Sequence, residues 1–415
     1  CAGTGKSCLL RHIVRSLQLD NGGKGIHVTA PTGLAASHVL GVTVHRFAGV
    51  SGDCGLRLDR LDDIVLGAKK RGRTTHWKNA RVLIIDEVSM LSGDALDALN
   101  ALAKRMRGNN PAPFGGLQLV LCGDFLQLPP IQPTNEPRLE RRFAFEARCW
   151  AEVVQEAVEL TTVFRQTDRP FVAALNAIRQ GVALPDVVAP LQGRVGARAP
   201  ATGIQPTQLF PLNVEVEEMN RQSLACLPGA VRTFTAADKG NAHLLANCGQ
   251  RELSLKVGAQ VVLLRNLNQE EGLVNGSRGI VVDFAGRKGY PVVQFRDQTS
   301  IIKPQVWDIV DGNRVAASRR QVPLALAWAL SIHKSQGLGL DTVRMDLRNV
   351  FEYGQAYVAL SRARELHSLY IDSLDLTRVM AHPDALQFHA TLRRVLAAGP
   401  TGGQGRPSAC AAEST

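Results

Sequence analysis

The chain has 415 residues, 45% of them hydrophobic, with a formal net charge of +11 and a pI near 9.5. That length accommodates about two to four domains with packed cores. No apolar run comes near the ~18 residues needed to cross a bilayer, and no charged–apolar–small leader opens the chain, so neither membrane insertion nor secretion is indicated. Eight cysteines, at 1, 8, 54, 122, 149, 226, 248 and 410, include no C-x-x-C pair, which argues against zinc and against a disulfide framework. The basic excess admits a nucleic-acid partner without requiring one. Its densest run, Lys69-Lys70-Arg71-Gly72-Arg73, fits a solvated loop or a phosphate-facing one.

In chain order, "GIHVTA" (25–30), "RVLIID" (81–86) and "LQLVLCGD" (117–124) are short, almost continuously apolar and β-rich, as parallel strands covered on both faces should be. Helical stretches such as 95–106 separate them, the rhythm of a doubly wound α/β domain. A second α/β block begins near residue 160, with "PTQLFPLNVEVEEMN" (206–220) as a strand running into a helix. Its pattern returns at "PLALAWALSIHKSQG" (323–337) and "GQAYVALSRAR" (354–364). Between them, residues 236–320 break into short strands split by Gly, Pro and Asn, a small all-β insertion. The predicted division is one unit over 1–157 with a small insertion about 41–78, a second over 158–235 and 321–395, the β insertion 236–320, and a disordered tail 396–415.

"AGTGKS" (2–7) is most of the phosphate-cradling pattern G-x-x-x-x-G-K-[ST]. Its glycines let backbone amides of Ala2, Gly3, Thr4 and Gly5 approach phosphate, and the following helix N-terminus adds positive potential. Lys6 would reach the terminal phosphates and Ser7 would hold Mg²⁺. The strand ending at Ile85 runs into Asp86 and Glu87, 80 residues after the lysine. Two unpaired charges at the end of a core strand are costly. They make sense opposite a cation, with Asp86 reaching Mg²⁺ and Glu87 activating a water. The third strand ends in Gly-Asp, and Gln127 just past it is placed to sense a γ-phosphate. Arg165 in "VFRQ" and Arg362 in "ALSRAR" are candidates to disperse charge in phosphoryl transfer.

Together "AGTGKS", "TAPTGLAA" (29–36), "TVHRFAGV" (43–50), "IIDEVSM" (84–90), "CGDFLQLPP" (122–130), "VFRQ" (163–166), "SIHKSQG" (331–337) and "AYVALSRAR" (356–364) closely resemble the ordered motifs of the Pif-type (petite integration frequency) helicases, RecD-like members of superfamily one. "PFGGLQLVLCGD" (113–124) and "GLVNGSRG" (272–279) resemble stretches peculiar to that family, and the likeness extends to about residue 395. The resemblance implies an α/β fold of two RecA-like P-loop motor domains with a barrel-like β insertion in the second. It implies ATP-dependent 5′→3′ movement on single-stranded DNA, with unwinding of duplexes and G-quadruplexes in repair, recombination, telomere or mitochondrial DNA maintenance. ATP and Mg²⁺ are the implied cofactors, forked or single-stranded DNA the partner, a monomer the state, and nucleus or mitochondrion the compartment.

By the same likeness Arg165 and Arg362 complete the ATP site from the second domain, and Gln336 and Gly337 join that site to DNA. DNA contacts would fall on Pro31, Thr32, His45, Phe47, Asn213, His333 and Lys334. Phosphates want hydroxyl, amide and lysine donors, and unstacked bases want aromatic or imidazole platforms. His45 and Phe47 fit a buried core equally well. Gly339 stands where relatives usually carry threonine, which puts one DNA hydroxyl contact in doubt. The first glycine of the phosphate pattern would precede Cys1, as would the family's adenine-contacting glutamine motif. The expectation is therefore that the chain as given folds poorly or turns over ATP weakly until an upstream strand is supplied. Rival readings are a P-loop NTPase that remodels protein or RNA, an inactive DNA-binding fragment, and the helicase portion of a rolling-circle mobile element.

Overall fold

The computed structural model describes residues 1–398 except 21, 23, 40, 51–54, 131–141, 200–202, 241–244, 246–248, 266, 269–270, 272, 274, 297, 312–313 and 337–338. Strands β1 (Ile26–Ala30), β2 (Val42–Thr43), β3 (Val82–Ile85) and β4 (Gln118–Leu121) form one parallel sheet, ordered β2-β1-β3-β4. All four residues of β3 are buried, as a strand covered on both faces requires. β4 stops three residues short of the predicted 117–124 strand, so Cys122, Gly123 and Asp124 belong to the loop beyond it.

The helix Gly93–Met106 shows why the first unit holds together. The Ser92 hydroxyl caps its N-terminus by accepting from the Ala95 amide (3.1 Å), Asp94 lies in the first turn, and Lys104 and Arg105 lie in the last. Leu96, Leu99, Leu102, Ala103 and Met106 recur at helical spacing and are buried in the core with Leu83, Ile85 and Trp77. The Asp97 carboxylate accepts from the Arg148 and Cys149 amides, both at 3.0 Å, and so fastens the end of the unit to this helix. In the basic run at 69–73, Lys69 and Lys70 end the helix Leu61–Lys70 and are exposed, Arg71 donates to the Gly49 carbonyl (2.9 Å), and only Arg73 is buried.

The second unit contains β5 (Thr207–Phe210), followed by the helix Asn213–Cys226. An antiparallel β region follows: β6 (Arg232–Thr235), β7 (Ala237–Gly240), β8 (Glu252–Leu255), β9 (Gln260–Leu263), β10 (Arg278–Ala285), β11 (Tyr290–Phe295), β12 (Thr299–Ile301), β13 (Gln305–Asp311), β14 (Arg314–Gln321) and β15 (Leu324–Leu326). It is wider than the predicted 236–320 because β6 pairs with β8 and β15 pairs with β9 across its ends. The chain then returns as β16 (Ala329–Ser331), β17 (Val343–Asp346) and β18 (Leu369–Ser373), giving a parallel sheet ordered β16-β5-β17-β18. A final helix, Pro383–Ala398, runs into the stretch expected to be disordered; the remainder of that expectation lies outside the described residues. Phe388 of this helix stacks on Phe145 of the first unit (centroids 4.4 Å, 4° between planes), and His389 lies 3.2 Å from Glu159.

One expectation is corrected here. Phe47 is only 1% exposed, edge-on to Trp77 at 4.6 Å and within 5.1 Å of the rings of His27 and His76. A ring locked in that cluster has no free face for a base. Phe47→Ala should cost about 3–5 kcal/mol of stability, as large-to-small aromatic core changes do, with oligonucleotide affinity of the folded protein unchanged. Denaturant titration paired with anisotropy binding checks this; a stable variant with lost binding would restore the surface role.

Candidate nucleotide and nucleic-acid site

Every candidate residue of the first unit lies at the start of its first helix or past the C-terminal end of one of its parallel strands. That is where open α/β sheets bind ligands. Gly3 and Gly5 take positive φ (75° and 83°), which a Cβ would strain. Their turn delivers Lys6 to the first position of the helix Lys6–Asp20, with Ser7 exposed beside it. The Lys6 Nζ donates to the Cys1 carbonyl (2.6 Å), and the Thr4 hydroxyl donates to the same oxygen (2.9 Å).

β3 ends facing this turn. The Asp86 carboxylate accepts from the Glu87 amide (2.9 Å) and is buried. Burial pushes it up, opposed by the Glu87 amide, the Cys122 thiol and Lys6. Glu87 adopts a left-handed backbone (φ 51°), a strained conformation for a residue with a Cβ. Burial and then the Asp86 charge push the Glu87 carboxyl up, while Lys6, Arg362 and Gln336 draw it down. Lys6 is thus close enough to act on both acids, and the paired carboxylates of the sequence face a cation.

The second unit supplies the opposite wall. The Gln336 amide donates to Glu87 Oε2 (3.1 Å), while its own Oε1 is buried without a protein partner. Arg362, 1% exposed, donates to the Val358 carbonyl (2.8 Å), the Ser335 carbonyl (3.2 Å) and the Ser361 hydroxyl (2.9 Å). Burial and then the neighbouring Arg165 guanidinium push it down to about 9, so it stays cationic at neutral pH. Arg165 donates to the Ser361 carbonyl (3.1 Å) and is itself lowered, first by burial. Its segment docks on the phosphate turn: the Phe164 amide donates to the Gly3 carbonyl (2.8 Å), and a Cβ on Gly3 would sit 2.7 Å from the Arg165 Cβ. The Ala2 amide donates to the Tyr357 hydroxyl (2.8 Å). Gln127 is buried and donates to Asp124 Oδ2 (3.1 Å). Gly337 lies outside the described residues.

The nucleic-acid candidates divide between the two sheets. Ala30 of β1 is in register with Thr43 of β2, so Pro31-Thr32 and His45 follow adjacent strand ends. Phe210 of β5 is in register with Ser331 of β16, so Asn213 and His333-Lys334 do the same in the second sheet. Asn213 and Lys334 are exposed; His333 and His45 are half-buried, and burial pushes both imidazoles down. The Thr32 hydroxyl accepts from the Ala35 amide (3.2 Å), a local cap. Sequence reasoning missed Arg179, Tyr357 and Gln166, whose side-chain amide donates to the Ser361 (3.2 Å) and Ala363 (2.8 Å) carbonyls beside Arg362. Arg179 ends an ordinary amphipathic helix (Arg169–Arg179), and nothing in its spacing distinguishes it; its bidentate grip on Asp124 exists only in three dimensions.

The family profile described as PIF1-like helicase matches residues 1–182, and that described as DNA helicase Pif1, 2B domain matches residues 241–284. The Xenopus laevis protein named ATP-dependent DNA helicase PIF1 is 42% identical over 402 residues, 95% of this chain and 61% of that protein. The crystal structure of Pif1 helicase from Candida albicans is 38% identical and superposes with a TM-score of 0.79 over 94% of each chain. The crystal structure of Bacteroides Pif1 bound to ssDNA is 29% identical with a TM-score of 0.68, covering 95% of this chain and 92% of that one. The chain spans about three fifths of the length of the curated relatives it matches.

The raised carboxyl of Glu87 makes a stability prediction. A carboxyl whose folded value lies above its unfolded one binds protons more tightly in the native state. It therefore favours the fold at low pH and loses that contribution as pH rises through the folded value. In the absence of nucleotide and divalent cation, Glu87→Gln should raise the melting temperature by a few degrees at pH 8, with the gain shrinking toward pH 5. A variant less stable at pH 8 than the parent would contradict the charge arrangement.

Proposed function

We propose that this chain is an ATP-driven motor on single-stranded DNA: it belongs to the PIF1-like helicase family, and its two sheets enclose a cleft of buried, mismatched charges. The observation that carries the reading is the Gln336–Glu87 hydrogen bond, made across the two units beside Arg362. The cleft fits a nucleoside triphosphate. The buried Arg362 guanidinium and the half-buried Arg165 guanidinium repel one another, and a buried amide oxygen of Gln336 has no protein partner. An anion relieves the first, and a donor from ligand or water satisfies the second.

Lys6 and the amides of Ala2, Gly3, Thr4 and Gly5 bind the phosphates. Asp86 and the Ser7 hydroxyl would hold Mg²⁺, which when bound supplies charge neutralisation at phosphate oxygens. Glu87 accepts a proton from the attacking water, a task its raised carboxyl suits. Arg165 and Arg362 disperse charge developing on the γ-phosphoryl group, and Gln127 orients about it. Pro31, Thr32, His45, Asn213, His333 and Lys334 track the strand, with Gln336 and Gly337 linking it to the nucleotide. His333 and His45, neutral at physiological pH, serve as hydrogen-bond or stacking groups; Lys334 carries the phosphate charge.

Alternate engagement and release of the two arginines draws the units together and apart, so each ATP shifts the DNA contacts by a step. The likeness to the Xenopus helicase and to a DNA-bound Bacteroides protein supports this substrate class. We place the protein as a monomeric 5′→3′ helicase acting on duplex or G-quadruplex DNA in genome maintenance, in nucleus or mitochondrion.

Strand displacement with 5′-tailed and 3′-tailed duplexes tests the direction: unwinding should require the 5′ tail. Preference for the 3′ tail, or ATPase stimulated by RNA and not by DNA, would overturn the proposal. Glu87→Gln should retain ATP binding while turnover falls by about 10²–10⁴, the usual contribution of a general base, as read by fluorescent-nucleotide binding and phosphate release.

A further inference from the structure

A further contact between the two units is ionic. The Asp124 side chain is 2% exposed. Arg179, at the end of the second unit's helix Arg169–Arg179, grips it with two bonds, Nη2 to Oδ1 at 2.6 Å and Nε to Oδ2 at 3.2 Å. The same carboxylate accepts from the Gln127 side-chain amide (3.1 Å) and the Leu126 backbone amide (3.3 Å), and it stands 3.6 Å from the Cys1 nitrogen. The loop that carries Gln127 is also pressed from the far side. A Cβ on Gly354 would lie 2.5 Å from the Gln127 carbonyl oxygen, so only glycine allows that approach.

The chemistry of Asp124 decides how Gln127 is turned. The bidentate guanidinium holds the Asp124 carboxyl well below the usual range. An ionised carboxylate only accepts hydrogen bonds, so Gln127 must present its NH₂ group to it, and the flipped amide would set oxygen against oxygen. One amide hydrogen is thereby committed. The orientation of the other hydrogen and of the amide oxygen is fixed by Asp124, whose carboxylate is in turn held by a residue of the opposite unit.

We propose that Arg179 is a positioning residue for phosphate sensing: by clamping the Asp124 carboxylate it dictates which face the Gln127 amide turns to the nucleotide cleft. The inference rests on the assignment of Gln127 under the proposed function. Movement of the second unit then reaches the phosphate by a route that does not pass through Arg165 or Arg362. Lysine at 179 keeps the charge but loses the planar two-bond grip, so the geometry predicts partial rescue and not full function.

The test is a kinetic cycle on the full-length protein, reading the Kd of a fluorescent ATP analogue and the ssDNA-stimulated kcat and KM. Arg179→Gln should lower kcat roughly tenfold or more with Kd and KM within about threefold, since positioning acts on the reacting complex. Arg179→Lys should recover part of that loss. Gln127→Ala should cost a similar factor in the parent and add less than about twofold in the Arg179→Gln background, because both changes break one device. Should Arg179→Gln not fold, the neutral pair Asp124→Asn/Arg179→Gln removes the buried charges together, and Gln127→Ala must again add less than about twofold to it. Kd, KM and kcat deteriorating together, or Gln127→Ala exerting its full factor in either background, would overturn the inference while leaving the ATPase reading intact. A parent protein without ATP turnover would overturn both.

Discussion

The structure depends on like charges held side by side where its two units meet. Asp86 and Glu87 end the buried strand β3 side by side, and Lys6 and the two guanidiniums of Arg165 and Arg362 converge on them from both units. Burying a carboxylate or guanidinium is expensive unless its partners are placed well, and removing one member of a buried pair costs about 3–5 kcal/mol. Like charges sit beside like charges on both walls here. The strained backbone of Glu87 and the lowered value of Arg362 mark where the fold tolerates this.

One short segment ties that cleft to the other candidate surface. Ser331 ends β16 and caps the turn Ile332–Ser335 by accepting from the Lys334 amide (3.4 Å). His333 and Lys334 follow the end of β16, the Ser335 carbonyl accepts from Arg362, and Gln336 reaches Glu87. Within six residues the chain passes from one candidate binding surface to the other. Both ends of the segment sit at strand C-termini because parallel sheets gather their loops there.

Much of this was legible in the sequence. β1, β3 and the helix Gly93–Met106 follow from unbroken apolar runs and from capping residues, which act locally. The phosphate turn, Asp86 and Glu87 could be read from chemistry at fixed spacing, and their convergence with Lys6 follows from any doubly wound sheet. What could not be read depends on distant pairing. β6 and β15 extend the β region because of partners well removed in sequence. Phe47 lies inside because Trp77, His27 and His76 close round it; the sequence left core and DNA contact equally open, since the choice rests on those distant partners. Arg179 looks like any basic residue in a last helical turn, and its role is visible only once Asp124 is seen 2.6 Å away.

The central claim is that two units share one phosphate-binding cleft. It is tested most directly by the ssDNA-stimulated ATPase of Arg362→Ala, measured beside its ATP-analogue Kd. Arginine supplied across a domain boundary to a phosphoryl transition state is worth about 10³–10⁵ in turnover. The account predicts a loss approaching that size with nucleotide still bound. Turnover equal to that of the parent protein would contradict it.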